Sequence, residues 1–292
     1  MLLDIAIGDA YGAGFEFAPQ DEVDQFNTVT EYRRHHLGGE HALPLGCYTD
    51  DTQMSIAVAE LLLAGGPYTR ESFADAFITT FKRDPRRGYA ERFYDLLVTC
   101  DNGADLLARI QSESIRNGAL MRSVPLGLLP DAATVLRVAD IQASITHDTF
   151  IGRLSSQVIG LMSHALLQGE KIESLPKIVW NDLHYALVLR MEGAGRVACD
   201  AEQTLQAVWT ALSGNRTAVD MLKQSISFGG DTDSVATVAL GLASLTDEVE
   251  SFYPTFLLTG LEAKAENQNF GLEFLNALDI KLLSLRIFQH EI

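Results

Sequence analysis

The chain has 292 residues, 47% of them hydrophobic, and a formal net charge of −17. A chain this long buries about 70–75% of its unfolded surface, so bulk stability needs no disulfide or metal staple. So acidic a surface repels phosphate backbones, which argues against a nucleic-acid partner held by a basic face.

The opening "MLLDIAIGDA" has no basic n-region, and Asp4 and Asp9 interrupt its apolar run, so it does not read as a signal peptide. No run of 18 apolar residues occurs, and no transmembrane span or membrane partner is expected. Cys47, Cys100 and Cys199 are scattered with no C-x-x-C spacing. That pattern suggests neither a zinc site nor a disulfide framework, and free thiols suit a cytoplasmic protein. Cys47 lies three residues before Asp50 and reads as a small buried hydrophobe, with a reactive thiol as the rival.

The segment "IGDAYGAGFEF" spaces its glycines G-x-x-x-G-x-G with no βαβ unit after them, which does not fit a dinucleotide loop. The cluster Gly8–Gly14 reads as an inter-helix turn, like Gly38-Gly39, Gly65-Gly66, Gly193/Gly195 and Gly229-Gly230. Glu16 lies between Phe15 and Phe17, where apolar neighbours could raise its pKa for proton transfer; a plain surface glutamate is the rival. "FNTVTEYRRH", from Phe26, is the best strand candidate, short and charged.

Beyond it the apolar spacing is helical. Met54, Val58, Leu61 and Leu62 follow "YTDD" and stop at Gly65-Gly66-Pro67. Phe73, Phe77 and Phe81 form the next stripe, and Leu154, Val158, Leu161 and Met162 another. Leu205, Val208, Trp209 and Leu212 follow, then Val235, Val238, Ala239 and Leu242. These stripes are core faces. With no linker or repeat between them, residues 1–292 read as one mostly α-helical domain.

Two stretches carry the chemistry. Thr49-Asp50-Asp51 precedes one apolar helix, and Asp231-x-Asp233-Ser234, behind Gly229-Gly230, precedes another. Helix capping explains one or two residues in each. If the stretches converge, four carboxylates repel one another, and oxygen ligands without His or Cys suit a hard cation. Residue types alone leave both readings open. In "SIRNGALMR", Asn117-Gly118 is a turn signal that could also start a helix and offer N–H groups to a phosphate. In "THD", His147 is flanked by Thr146 and Asp148 at a helix entry.

Taken in order, "GDAYGAGFE", "YTDDTQMSIAVAE", "NGALMR", "TH" and "GGDTDSVATVALGLA" resemble the ADP-ribosylglycohydrolase family of the dinitrogenase-reductase-activating type. The resemblance implies a compact, orthogonal all-α domain with two Mg²⁺ or Mn²⁺ ions in a cleft. It assigns Thr49, Asp50, Asp51, Asp231, Asp233 and Ser234 to the metals. Glu16, Asp51 and Asp233 take catalytic roles, and Ser114, Asn117, Gly118, His147 and Gly230 contact substrate. The implied reaction is hydrolysis at the anomeric carbon of an N- or O-linked ADP-ribosyl group. An ADP-ribosylated protein or small molecule is the substrate and ADP-ribose the product. A non-catalytic ADP-ribose binder and a two-metal phosphohydrolase are the rivals. One departure stands out: "RDPRRGY" puts Arg86 and Arg87 where arginine-specific members commonly carry an aspartate. There the arginines could meet the leaving group, hold the diphosphate or face solvent.

Overall fold

A computed structural model describes residues 1–35 and 43–289, with side-chain surroundings up to residue 285; Gly38-Gly39 lies outside the described residues. The apolar periodicities become helices. The first group is α1 (Leu2–Gly12), α2 (Gln20–Phe26), α3 (Asp50–Leu63), α4 (Arg70–Arg83), α5 (Glu91–Thr99) and α6 (Gly103–Arg109). Then come α7 (Ala132–Ala143), α8 (Phe150–Leu167), α9 (Leu175–Leu183) and α10 (Ala201–Gly214). The series closes with α11 (Ala218–Ser227), α12 (Thr232–Ala243), α13 (Thr255–Gly260) and α14 (Leu272–Gln289).

Among the described residues there is no β-strand, only isolated bridges such as Glu113 with His147 and Val197 with Gly230. The strand candidate from Phe26 is irregular after α2. Its alternation is too short and too charged to hold a sheet edge without a partner strand. No described helix is long and apolar enough to cross a membrane.

Local chemistry sets the helix starts. Thr49, Thr69, Asp131 and Thr149 each accept a hydrogen bond from a first-turn amide of the helix that follows. The apolar stripes of α3, α4, α8, α10 and α12 then meet in one buried cluster with α1.

The opening segment differs from the turn expected at Gly8–Gly14. It is helical through Gly12, and all but Leu3 of its residues are buried. The glycines have a packing reason. A Cβ on Gly8 would lie 2.5 Å from the Ala236 carbonyl oxygen, and one on Gly12 would lie 2.5 Å from Cα of Asp233. α1 therefore rests backbone against backbone on the first turns of α12. The same close approach carries the chain from the end of α1 into Glu16, beside the start of α12.

Gly12→Ala tests this contact. A Cβ there meets backbone, which cannot rotate away, so overpacking of about 1–3 kcal/mol exceeds the helix-propensity gain of up to about 1 kcal/mol. Urea unfolding should show net destabilisation. Gly214→Ala, whose Cβ would meet only the Gln224 side-chain oxygen at 3.4 Å, should be neutral or stabilising.

Candidate active site

The start of α3, the start of α12, the loop after α1, and the segments around residues 114–122 and 146–147 enclose a cavity of about 490 Å³. Its wall includes Glu16, Asp50, Asp51, Asp231, Asp233 and Ser234. The two acidic stretches of the sequence thus face one space. The ligand atoms of Glu16, Asp231 and Asp233 lie within 4.8 Å of one another. Ser114, Asn117, Gly118 and His147 also line the cavity, whereas Thr49 and Gly230 are not part of its lining.

Backbone geometry aims the second stretch. Gly229 and Gly230 have φ of +64° and +81°, the left-handed region that favours glycine. A Cβ on Gly230 would come 1.9 Å from the Val197 carbonyl oxygen. Val197 donates to the Gly229 carbonyl and accepts from Asp231 N, at 3.0 and 2.9 Å, and Phe17 N donates to the Gly230 carbonyl at 2.8 Å. Gly230 is thereby a backbone joint between the Glu16 loop and α12.

Capping accounts for Thr49, whose hydroxyl accepts from Asp51 N at 3.3 Å. It does not account for Asp231, which stands at the N-cap of α12 with no side-chain cap hydrogen bond. Instead Asn117 Nδ2 donates to Asp231 Oδ2 at 2.7 Å and to Thr204 Oγ1 at 3.1 Å, so its amide orients the carboxylate. The turn at 118–122 follows Asn117-Gly118, and no α-helix begins there. Of the two readings of Asn117-Gly118, turn and helix start, the structure has the turn, with Asn117 O accepting from both Leu120 N and Met121 N.

The electrostatics are those of crowded acids. Burial, then Asp9 and Glu16, push the Asp50 carboxyl well above the ordinary range. Burial and Asp50 do the same to Asp51, and burial and Glu16 to Asp233. Asp51 Oδ1 is buried without a hydrogen-bond partner. An orphaned carboxylate oxygen among other carboxylates, with a serine hydroxyl beside them, is a donor set that fits a hard divalent cation. Cys47 is buried, and burial pushes its thiol up to about 12, so it is an interior side chain rather than a nucleophile.

Sequence reasoning missed Asp9. On α1 its Oδ2 accepts from Thr49 N at 2.9 Å, Thr52 N at 2.9 Å and Thr52 Oγ1 at 2.6 Å, fixing the first turn of α3. The available signal was an acid inside an apolar helical run, which is stable only with partners. Cys199, which also lines the cavity, was missed as well; burial and Asp231 raise its thiol pKa.

Arg86 also departs from expectation. It is buried, stacked 3.6 Å over the Tyr48 ring, and paired with Glu262 through two hydrogen bonds of 2.7 and 2.9 Å. Its Nε donates to Asp84 Oδ2 at 2.7 Å, and Glu262 Oε1 also accepts from Tyr48 N at 2.8 Å. It therefore braces the residue before Thr49 and is not part of the cavity wall. Arg87 is exposed over the Tyr94 ring.

The profile of the ADP-ribosylglycohydrolase family matches residues 1–278. The ADP-ribosyl-[dinitrogen reductase] glycohydrolase of Rhodospirillum rubrum is 28% identical over 280 residues, covering 91% of this chain and 90% of the relative. ADP-ribosylhydrolase ARH3 of Gallus gallus is 33% identical over 179 residues, covering 56% of this chain and 48% of the relative. A solved ADP-ribosylglycohydrolase-related protein complex shares the fold, with a TM-score of 0.70 and 23% identity over 98% of this chain and 96% of that one.

Two outcomes follow from the geometry. Burial pushes the Asp9 carboxyl from 3.8 up to about 6, so the native state binds this proton more tightly than the unfolded chain does. Without divalent cation, stability should therefore fall as pH rises from about 4 to 7, by about 3 kcal/mol from this group. Urea unfolding in EDTA at stepped pH measures it, and Asp9→Asn should flatten the slope. Separately, Glu262→Ala strands a buried guanidinium and should cost about 3–5 kcal/mol in the same assay, toward the low end because Asp84 remains.

Proposed function

The chain is an enzyme of the ADP-ribosylglycohydrolase family, a hydrolase of ADP-ribosyl linkages, and on that premise we propose that it cleaves the glycosidic bond at the anomeric carbon and releases ADP-ribose. The observation that carries this reading is the convergence of Asp50 and Asp51 with Asp231 and Asp233 on one cavity, with Asp51 Oδ1 left unpartnered. The substrate is an ADP-ribosylated protein or small molecule, N- or O-linked, and residues 1–292 act as one catalytic domain in the cytoplasm.

Asp50, Asp51, Asp231, Asp233 and Ser234, with Thr49 behind them, would hold two hard cations, Mg²⁺ or Mn²⁺. When bound, these supply Lewis-acid polarisation and offset the carboxylate charge. The chain's own residues do the rest. A water oxygen bonds to the anomeric carbon as the bond to the acceptor nitrogen or oxygen breaks. Glu16, half-buried at the cavity wall, takes one proton of that water and returns it to the departing atom. Asn117 keeps Asp231 in position. Ser114 and Gly118, with the exposed Arg116 between them, face the diphosphate.

His147 is a neutral hydrogen-bonding group in this scheme. Burial, then Arg122 and Arg116, push its pKa down to about 3. Thr146 Oγ1 accepts from Arg122 Nη2 at 2.8 Å and lies 2.6 Å from His147 Nδ1, where the direction of the bond follows the ring tautomer. In the tautomer that carries its proton on Nε2, the hydroxyl donates to Nδ1 and Nε2 can donate to a substrate oxygen.

The test is a panel of arginine-linked, serine-linked and guanidino ADP-ribosyl compounds, with products identified. Free ADP-ribose is expected; AMP would indicate diphosphate cleavage, and binding without product would indicate a non-catalytic binder. Asp51→Ala and Asp231→Ala should each lower kcat by about 10³-fold, equivalent to about 4 kcal/mol. Wild-type turnover in either variant at limiting Mg²⁺ would contradict a shared site.

A further inference from the structure

Arg122 is the largest of the fully buried side chains, at 1% exposure, and it lines the acidic cavity. Its guanidinium lies 4.5 Å over the Phe77 ring. Nε donates to Gln142 Oε1 at 2.5 Å, and Nη2 donates to the Gln142 carbonyl at 3.2 Å and to Thr146 Oγ1 at 2.8 Å. Every one of these acceptors is neutral, and among the described residues no carboxylate forms an ion pair with it. Burial pushes its pKa down only to about 9, with Tyr89 and Asp50 opposing, so it is charged at neutral pH.

A buried charge held by neutral groups is costly unless a field of opposite sign offsets it. Asp50 acts on Arg122 directly, and Asp51, Asp231 and Asp233 line the same cavity. Arg92 and Arg116 also line the cavity but are exposed, so water and salt screen them. Arg122 has no such screening. Gln142 locks it in place: its Nε2 donates to the Ala119 carbonyl at 3.0 Å and to Ser123 and Ser156 Oγ at 3.1 and 2.6 Å.

We propose that Arg122 is a built-in counter-charge of the acidic cavity, a fixed cation that sets how tightly the site holds divalent metal. This rests on the cation reading given above. Arg122 offsets part of the aspartate charge when metal is away, and it repels metal when metal is bound. The cavity therefore holds its cations less tightly than four aspartates alone would. The sign of the effect is diagnostic. Removing a repelling charge tightens cation binding, whereas removing a merely structural side chain loosens it.

The measurement is the Kd for Mn²⁺, from the paramagnetic resonance signal of the free ion, on the whole chain. Arg122→Gln should bind Mn²⁺ about tenfold more tightly, and Arg122→Lys, which keeps the charge, should stay near wild type. Should Arg122→Gln fail to fold, Gln142→Glu decides. It leaves the guanidinium in place and neutralises it with a carboxylate; the amide's bond to the Ala119 carbonyl is lost, and the second oxygen accepts from the Ser123 and Ser156 hydroxyls once these turn from the Ala119 and Ala139 carbonyls. It too should tighten binding. Weaker or unchanged Mn²⁺ affinity in Arg122→Gln, or unchanged affinity in Gln142→Glu, overturns the proposal. A wild-type protein that binds no Mn²⁺ overturns the cation reading first, and this inference with it.

Discussion

Everything at the site depends on one contact without side chains. Gly8 and Gly12 let α1 lie on the backbone of α12, where any Cβ would collide at 2.5 Å. That approach brings together segments more than 200 residues apart. Asp9 reaches the first turn of α3, Thr232 Oγ1 donates to the Gly12 carbonyl at 2.9 Å, and Glu16 arrives beside Asp231 and Asp233. A side chain at either glycine would separate the helices, and with them the carboxylates.

The second layer is electrostatic. Folding gathers acids that would otherwise stay apart in water, so their protons bind more tightly and the cavity stores repulsion. Hydrogen bonds to Asp9 and Asp231 and the fixed charge of Arg122 limit that repulsion from within. A divalent cation would limit it from the cavity side. The Arg86–Glu262 pair sits outside this field and acts as a brace. It clamps Tyr48, and through it the start of α3, to the segment after α13.

Much of this was legible in the sequence where periodicity or motif reports on local structure. The helical stripes at Phe73, Phe77 and Phe81 and at Val235 to Leu242 lie in helices as their spacing requires. The two acidic stretches could be paired because each precedes an apolar helix. What stayed hidden was set by packing between distant segments. Gly8 and Gly12 look like turn residues until α12 is known to press on them. Asp9 looks like a flaw in an apolar run until Thr49 and Thr52 are seen to donate to it. Arg86 reads as a site residue from its place in "RDPRRGY", yet its partner Glu262 lies 176 residues away and no local pattern announces it.

The most direct measurement is a double-mutant cycle on Mn²⁺ affinity with Asp50→Asn, Asp233→Asn and the pair together. Ligands of one shared site couple, so the two losses should be non-additive by about 0.5–3 kcal/mol. Losses that add within about 0.5 kcal/mol would mean that the two acidic stretches act independently, and would contradict a cation site shared between them.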